Sequence, residues 1–300
     1  MGQVWVAGEV LIDLIPMGTD RKPIVGGGPA NTAKVLSKLG IGTQFIEGIS
    51  SDVYGQMAKN DLKTAGVKLD YVKYSDKPTC LAVVSLSESG SATYEFVIEN
   101  TATFAFTHDW LPNPQTDRPL LLHIGTLAAV IEPGASVLFE WAQSVAKFAP
   151  IVFDPNVRSA VISDRAQYVA QVERWVSISS AIKVSDEDIK WLYPSLDIEQ
   201  VVNNWLTKGP SLVVVTYGAK GLTGHRKNER VSVDAVKAVV ADTVGAGDTI
   251  GAILVEAIVK DGLDSLAGAR LETMLKRAAK AAAITVSRVG ANPPTFQELE

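Results

Sequence analysis

The sequence predicts an α/β protein in which a mainly parallel sheet is covered by helices and a smaller β element stands beside it. Three observations carry this. Short apolar, β-branched runs alternate with segments of helical period along most of the 300 residues, the rhythm of strand–crossover–strand units. That rhythm breaks once, where residues 80–87 and 91–98 form two strand-like runs with no helix between them. Near the C-terminus, Gly245-Ala246-Gly247 then delivers the chain onto a long apolar-periodic segment, as a glycine turn does at a helix N-terminus.

Bulk properties narrow the function. A hydrophobic content of 47% with 20% charged residues is that of a well-filled soluble enzyme. The net charge of −5 argues against a general nucleic-acid binder. Cys80 is the only cysteine, so no internal disulfide forms and a reducing compartment fits. His108, His123 and His225 are too widely spaced to read as a metal cluster. The first residues, Met1 to Val6, lack a basic n-region, and Gly2 lacks the myristoylation pattern. No apolar run approaches the ~20 residues of a membrane span. The expected location is cytoplasmic, with neither membrane nor nucleic acid as partner.

Residues 3–12 read as a buried strand with Asp13 at its carboxyl end, where open α/β sheets place ligand groups; a surface-turn acid is the plainer reading. Gly26-Gly27-Gly28-Pro29-Ala30-Asn31 then opens a helix, with Pro29 in its first turn and Gly40 at its C-cap. The glycines let backbone approach a ligand, and Asn31 offers both donor and acceptor. Gly8 lacks the partners of a dinucleotide fingerprint, and no Walker A Gly-Lys-Ser/Thr occurs. Strand 43–48, helix 53–65 closed by Gly66 and strand 71–74 follow. Glu88-Ser89-Gly90 is the expected turn of the hairpin. That hairpin joins residues 14–25 in a small separate sheet, or else sits at the edge of the main one.

Alternation resumes with strand 120–124, helix 134–148 and strand 151–153, and Asp154-Pro155-Asn156-Val157-Arg158 leaves the last of these. Arg158 there either contacts a ligand or pairs with Asp154. Helix 163–176 and strand 180–184 lead to Ser185-Asp186-Glu187-Asp188, a good N-cap followed by first-turn acids. Strand 211–216 ends in Thr216-Tyr217-Gly218-Ala219-Lys220-Gly221, and helices 246–260 and 264–287 close the chain.

The turn Asp242-Thr243-Val244-Gly245-Ala246-Gly247-Asp248 carries the chemistry. Amides at Gly245, Ala246 and Gly247 can face one anion, aided by the helix dipole. An acid beside that pocket is poor design for mere phosphate binding. It makes sense if Asp248 takes a proton from a hydroxyl while the amides hold a transferring phosphoryl group. The plainer reading has Asp242 and Thr243 as caps and Asp248 as a complement to the dipole.

This stretch resembles the second signature of the ribokinase-like (PfkB-type) carbohydrate kinases, and Gly26 to Asn31 resembles the first. The resemblance spans nearly the whole chain. It implies a ribokinase-like three-layer α/β/α sandwich over residues 1–300 as one kinase domain, with a β lid from about 14–25 and 80–106. Asp248 would be the base and Gly245, Ala246 and Gly247 the anion hole. Asp13, Gly27, Gly28, Asn31 and Arg158 would bind sugar. Thr216, Gly218, Gly221, Ser185 and Gly290 would border the nucleotide. Asp242 would bind a monovalent cation, potassium, and Asp188 would organise magnesium indirectly. ATP and Mg2+ are the implied cofactors, and a homodimer through the lid stays open. The implied activity is an ATP-dependent sugar kinase, fructokinase-like by its Asp154 to Arg158 loop. The alternatives are a kinase for 2-keto-3-deoxygluconate, ribose or a nucleoside, and an idle sugar- or nucleotide-binding protein. Three departures stand out. Glu99-Asn100-Thr101-Ala102 replaces the Arg-Pro-Ser-Ala of many fructokinase-like relatives. Ser185 and Asp188 replace the family's Asn and Glu, and Ile253 replaces a small residue.

Overall fold

The computed structural model of the chain describes residues 2–86 and 92–300, so the expected turn Glu88-Ser89-Gly90 lies outside the described residues. In chain order the first strands are β1 (Val4–Ala7), β2 (Leu11–Met17), β3 (Asp20–Gly26), β4 (Thr43–Ser50), β5 (Lys68–Ser75), β6 (Leu81–Leu86) and β7 (Ala92–Val97). After them come β8 (Leu121–Gly125), β9 (Ile151–Asp154), β10 (Ala181–Ser185), β11 (Leu212–Thr216), β12 (Leu222–Arg226) and β13 (Glu229–Val233). The helices begin with α1 (Gly28–Lys38), α2 (Val53–Thr64), a one-turn α3 (Pro114–Asp117), α4 (Gly134–Val145) and α5 (Arg165–Ile178). They continue with α6 (Asp186–Leu192), α7 (Ile198–Leu206), α8 (Ala246–Asp261), α9 (Gly268–Val286) and a terminal α10 (Phe296–Leu299).

Two sheets result. The large one runs β13-β12-β11-β10-β9-β8-β1-β4-β5, parallel from β5 to β11 and antiparallel through the hairpin at β12 and β13. Its central strands are apolar on both faces because successive side chains enter opposite layers. Val4 and Val6 pack with Leu36 of α1, Leu62 of α2, Leu254 of α8 and Leu275 of α9. Trp5 and Ala7 face Trp141 of α4, Trp175 of α5, Leu192 of α6 and Trp205 of α7. This is the expected three-layer sandwich. The small sheet, ordered β3-β2-β6-β7, has its own ladder, so residues 81–86 and 92–97 are not an edge of the large sheet.

Several boundaries differ from expectation. The strand foreseen over 3–12 is broken at Gly8-Glu9-Val10, and Asp13 lies within β2 of the small sheet rather than at the end of a main-sheet strand. Gly8 adopts φ 144° with Pro29 Cγ only 2.4 Å from where a Cβ would stand, so the chain turns there against α1. The small sheet accordingly begins at Leu11, before residue 14, and β7 ends at Val97. Residues 98–106 return to the body, where Phe104 and Phe106 are buried in the core around Trp141. Ile253 is fully buried among α8's apolar contacts. Among the described residues, no helix is long and apolar enough to cross a membrane.

Candidate active site

Because β8 to β11 and β1 are parallel, their carboxyl ends share one edge of the sheet, the edge on which such folds assemble sites. Two cavities open there. The first, about 660 Å³, brings together Asp13, Gly27, Gly28, Asn31, Arg158, Gly245, Gly247 and Asp248. The sequence separates the first from the last of these by most of the chain. Thr93 and Phe96 of β7 also wall it. The second, about 690 Å³, is bounded by Thr216, Gly218, Gly221, Ala246 and Gly247, with small apolar residues of α9 such as Ala279 and Ala283. Thr243 and Gly247 belong to both cavities, whereas Asp248 belongs to the first alone.

The turn between the cavities is set by Gly245, whose φ of 83° suits glycine and whose Cβ would meet Ala291 Cβ at 2.8 Å. Gly245 is the N-cap of α8, and no side chain caps that terminus. The N-terminal amides are therefore offered to a ligand. Asp242 clasps this turn to the C-terminal loop. Its Oδ1 accepts from Val244 N at 3.0 Å and its Oδ2 from Gly290 N at 2.9 Å. Gly290 thus acts on the turn through Asp242 and is not a wall of the second cavity.

Asp248 is buried, and its Oδ2 accepts from Asn31 Nδ2 at 2.9 Å across the α1–α8 crossing. It does not serve as a cap. Gly28 marks where its other oxygen points. A Cβ there would lie 2.8 Å from Thr126 Oγ1, 2.9 Å from Asn156 Nδ2 and 3.3 Å from Asp248 Oδ1. Three polar groups therefore converge on a position with no side chain. Thr126 and Asn156 both hold positive φ, 58° and 38°, and Asn156 Nδ2 donates to Thr126 Oγ1 at 3.3 Å. Sparsely populated backbone of this kind clusters at functional sites. Burial pushes the Asp248 carboxyl up to about 6, with Lys183 and the Asn31 amide opposing. It is then mostly ionised at neutral pH yet far more basic than a surface aspartate. Asp13 is also pushed up to about 6 by burial, against the pull of Arg158 and Lys34.

The remaining expected residues have traceable partners. Arg158 Nη1 donates to Asn156 Oδ1 at 2.8 Å and to Val157 O at 3.1 Å. Asp154 pairs instead with Lys183, Nζ to Oδ2 at 2.9 Å, so the alternative Arg158–Asp154 pairing does not form. Ser185 and Asp188 form a capping box at the start of α6. Asp188 Oδ1 also accepts from Val157 N at 3.0 Å, which ties α6 to the loop bearing Arg158. Both its carboxylate oxygens thus hold backbone N–H groups, and Ser185 is not a wall of the second cavity. Among the described residues, no group of three or more His, Cys, Asp or Glu is arranged to hold a metal. Glu99 is exposed and outside the first cavity's walls.

Sequence reasoning missed Lys183, Thr126, Asn156 and Glu9. The signal for two of them was a charge inside an apolar strand, Lys183 in Ala181–Ser185 and Glu9 between β1 and β2. Glu9 is 1% exposed; its Oε2 accepts from Ala128 N at 3.1 Å, and its Oε1 has no partner among the described residues. Burial raises its carboxyl to about 7. Between its unfolded pKa and about 7, the folded state holds a proton that the unfolded chain releases. Stability is therefore fully present below the unfolded value and declines as pH rises through 7, by about 3 kcal/mol in all. Thermal melts should accordingly give a higher Tm at pH 6 than at pH 8. Glu9→Gln, which keeps an acceptor for Ala128, should raise the pH 8 value and flatten the slope. An unchanged or lower Tm at pH 8 in that variant would refute the assignment.

Known proteins resemble this chain over most of its length. A family model described as pfkB family carbohydrate kinase matches residues 1–297. The chain belongs to the pfkB family of carbohydrate kinases. This pfkB kinase is 34% identical over 261 residues to a fructokinase of Rhizobium leguminosarum bv. trifolii, covering 85% of the chain and 79% of the relative. Its fold matches a Xylella fastidiosa fructokinase with bound ATP at a TM-score of 0.90 and 22% identity, over 99% and 94% of the two chains. It also matches a Vibrio cholerae O395 fructokinase double mutant in its fructose, ADP and potassium ion bound form, at a TM-score of 0.86 and 25% identity, over 100% and 95%.

Proposed function

We propose that this pfkB kinase transfers the γ-phosphate of ATP to fructose. The observation that carries the reaction is the peptide turn common to both cavities, with Asp248 on one side of it only. In this reading the sugar occupies the first cavity, held by Asp13, Gly27, Gly28, Asn31 and Arg158, with the small sheet as its lid. ATP occupies the second, its base against the α9 alanines and its phosphates along Thr216, Gly218 and Gly221 toward the turn. The acceptor hydroxyl lies where Thr126, Asn156 and Asp248 converge. Asp248 takes its proton as the oxygen attacks the γ-phosphorus, the Gly245–Gly247 amides stabilise the charge on the transferring group, and ADP leaves on the opposite side.

Magnesium, when bound, neutralises the phosphate oxygens. Asp188 holds a backbone N–H on each carboxylate oxygen, so it would act on the ion only indirectly, through coordinated water. Asp242, like Asp188, holds a backbone N–H on each carboxylate oxygen, so potassium would meet it only through the oxygens' remaining lone pairs. The choice of fructose is supported by the relatives' names and by the fructose in the Vibrio crystal. Glu99 points away from any charge conflict with the sugar, being outside the cavity walls.

ADP release with magnesium-ATP and potassium, measured across fructose, ribose, 2-keto-3-deoxygluconate and a nucleoside, tests the reading. Fructose should give the highest kcat/KM. A higher value for another acceptor overturns the substrate, and ligand-induced melting shifts with no ADP release overturn the reaction. Sedimentation of the same preparation reads whether two copies pair through the small sheet, where Met17 and Val97 leave apolar side chains exposed.

A further inference from the structure

Lys183 has no part in the roles assigned so far, yet it lies buried against the turn that both cavities share. Its side chain, on β10, is 4% exposed and pairs with Asp154 of β9 at 2.9 Å. A Cβ on Gly247 would stand 2.9 Å from its Nζ, so the ammonium is directly beneath the turn that both cavities share. Burying such a group costs several kcal/mol unless fixed charges and hydrogen bonds answer it. Here three carboxylates bear on it. Burial works against its charge, but Asp154, Asp248 of α8 and Asp188 of α6 together hold it above the ordinary lysine range. His123 of β8, its remaining titratable neighbour, is pushed down to about 3 by burial and by Lys183. It is neutral and adds no charge.

The balance at Asp248 depends on this ammonium. Burial and, more weakly, Asp154 favour the neutral acid; Lys183 is the largest opposing influence, ahead of the Asn31 amide and Arg158. We propose that Lys183 is the positioning residue that keeps the Asp248 carboxylate ionised beside the Gly245–Gly247 turn at neutral pH. Asp154 anchors it there through Oδ2, and its Oδ1 has no hydrogen-bond partner among the described residues. The inference rests on Asp248 being the base.

The test is the pH dependence of kcat/KM for the sugar between pH 5 and 9, which reports groups of the free enzyme. Wild type should show an acid limb near pH 6. Lys183→Met should move that limb up by about one pH unit. That shift is roughly a fivefold loss at pH 6, approaching tenfold at pH 5, that closes as the pH reaches 8.5. Lys183→Arg, which retains the charge, should keep the limb near its original place. Removing one member of a buried pair can unfold a protein, so Lys183→Met/Asp154→Asn is measured as well. It removes the unpaired Asp154 charge, and its limb should still rise, by less, because Lys183 outweighs Asp154 at Asp248. Asp13 also titrates near 6, but its charged neighbours are Arg158 and Lys34, so its contribution should not move with Lys183. A limb at the wild-type pH in both Met-bearing variants, with activity lowered equally at every pH, would overturn the proposal and leave Lys183 as a prop between β9 and β10. Asp248→Asn, run alongside, should lose activity at every pH. If it does not, the base assignment itself fails, and this inference with it.

Discussion

Asp248→Asn should lower turnover on the sugar by about 10²–10⁴-fold while leaving the nucleotide cavity intact. The substitution is nearly isosteric and keeps an oxygen to accept from Asn31 Nδ2, the bond that crosses from α1 to α8. Lys183 retains Asp154 as partner, so no buried charge is stranded. What disappears is the ability to take the hydroxyl proton, an interaction made only as the reaction proceeds. The loss should therefore fall on kcat and kcat/KM alike. Steady-state kinetics, paired with the melting shift produced by ATP, separate the two halves of the expectation. Turnover within tenfold of wild type would show that the proton goes elsewhere.

Gly28→Ala should be nearly as damaging, and for a purely steric reason. The added methyl would stand 2.8 Å from Thr126 Oγ1 and 2.9 Å from Asn156 Nδ2, in the space we propose for the acceptor hydroxyl. Gly28 has ordinary negative-side backbone angles, being absent from the residues of positive φ, and alanine suits a first helical position better than glycine. The fold should thus survive, with Tm within a few degrees of wild type. Yet kcat/KM for the sugar should fall by about 10²-fold or more, the cost expected when a reacting group is displaced by ~1 Å. Gly27 offers no such separation. Its φ is 107° and a Cβ would meet Glu9 O at 2.4 Å, so alanine there would strain the backbone itself. Unchanged sugar kinetics in Gly28→Ala would mean that the acceptor binds away from Asp248.

What could be read in advance was what is local or periodic. Alternating apolar runs betrayed the sandwich because burial on both faces demands them, and the Gly245–Gly247 turn advertised an anion site because its chemistry is contained in three residues. Sites built by distant partners were dark. Nothing in Ile182-Lys183-Val184 names Asp154 as the partner, since that pairing exists only once β9 and β10 lie side by side. Gly8 looked like one more residue of an apolar strand because the obstacle that bends the chain, Pro29, comes from the following helix. The resemblance carried the lid to residue 106, but β7 ends at Val97 and Phe106 stacks on Trp110 at a centroid distance of 5.5 Å, a contact no local pattern announces. Ser185 was legible as an N-cap, whereas the bond from Val157 N to Asp188, which ties α6 to the Arg158 loop, joins residues 31 apart in sequence.

The turn that walls both cavities also sets what a single inhibitor could do. Thr243 and Gly247 face both chambers, so a molecule with adenosine at one end and a ketose at the other needs only a short polyphosphate bridge over that turn. Once one end is seated, the other is presented at an effective concentration far above any free ligand in solution. The loss of translational freedom is then incurred once instead of twice. Such a two-headed ligand would bind far more tightly than either half. It would also be selective, because both ends must fit and a protein with only one of the two chambers can hold only half of it.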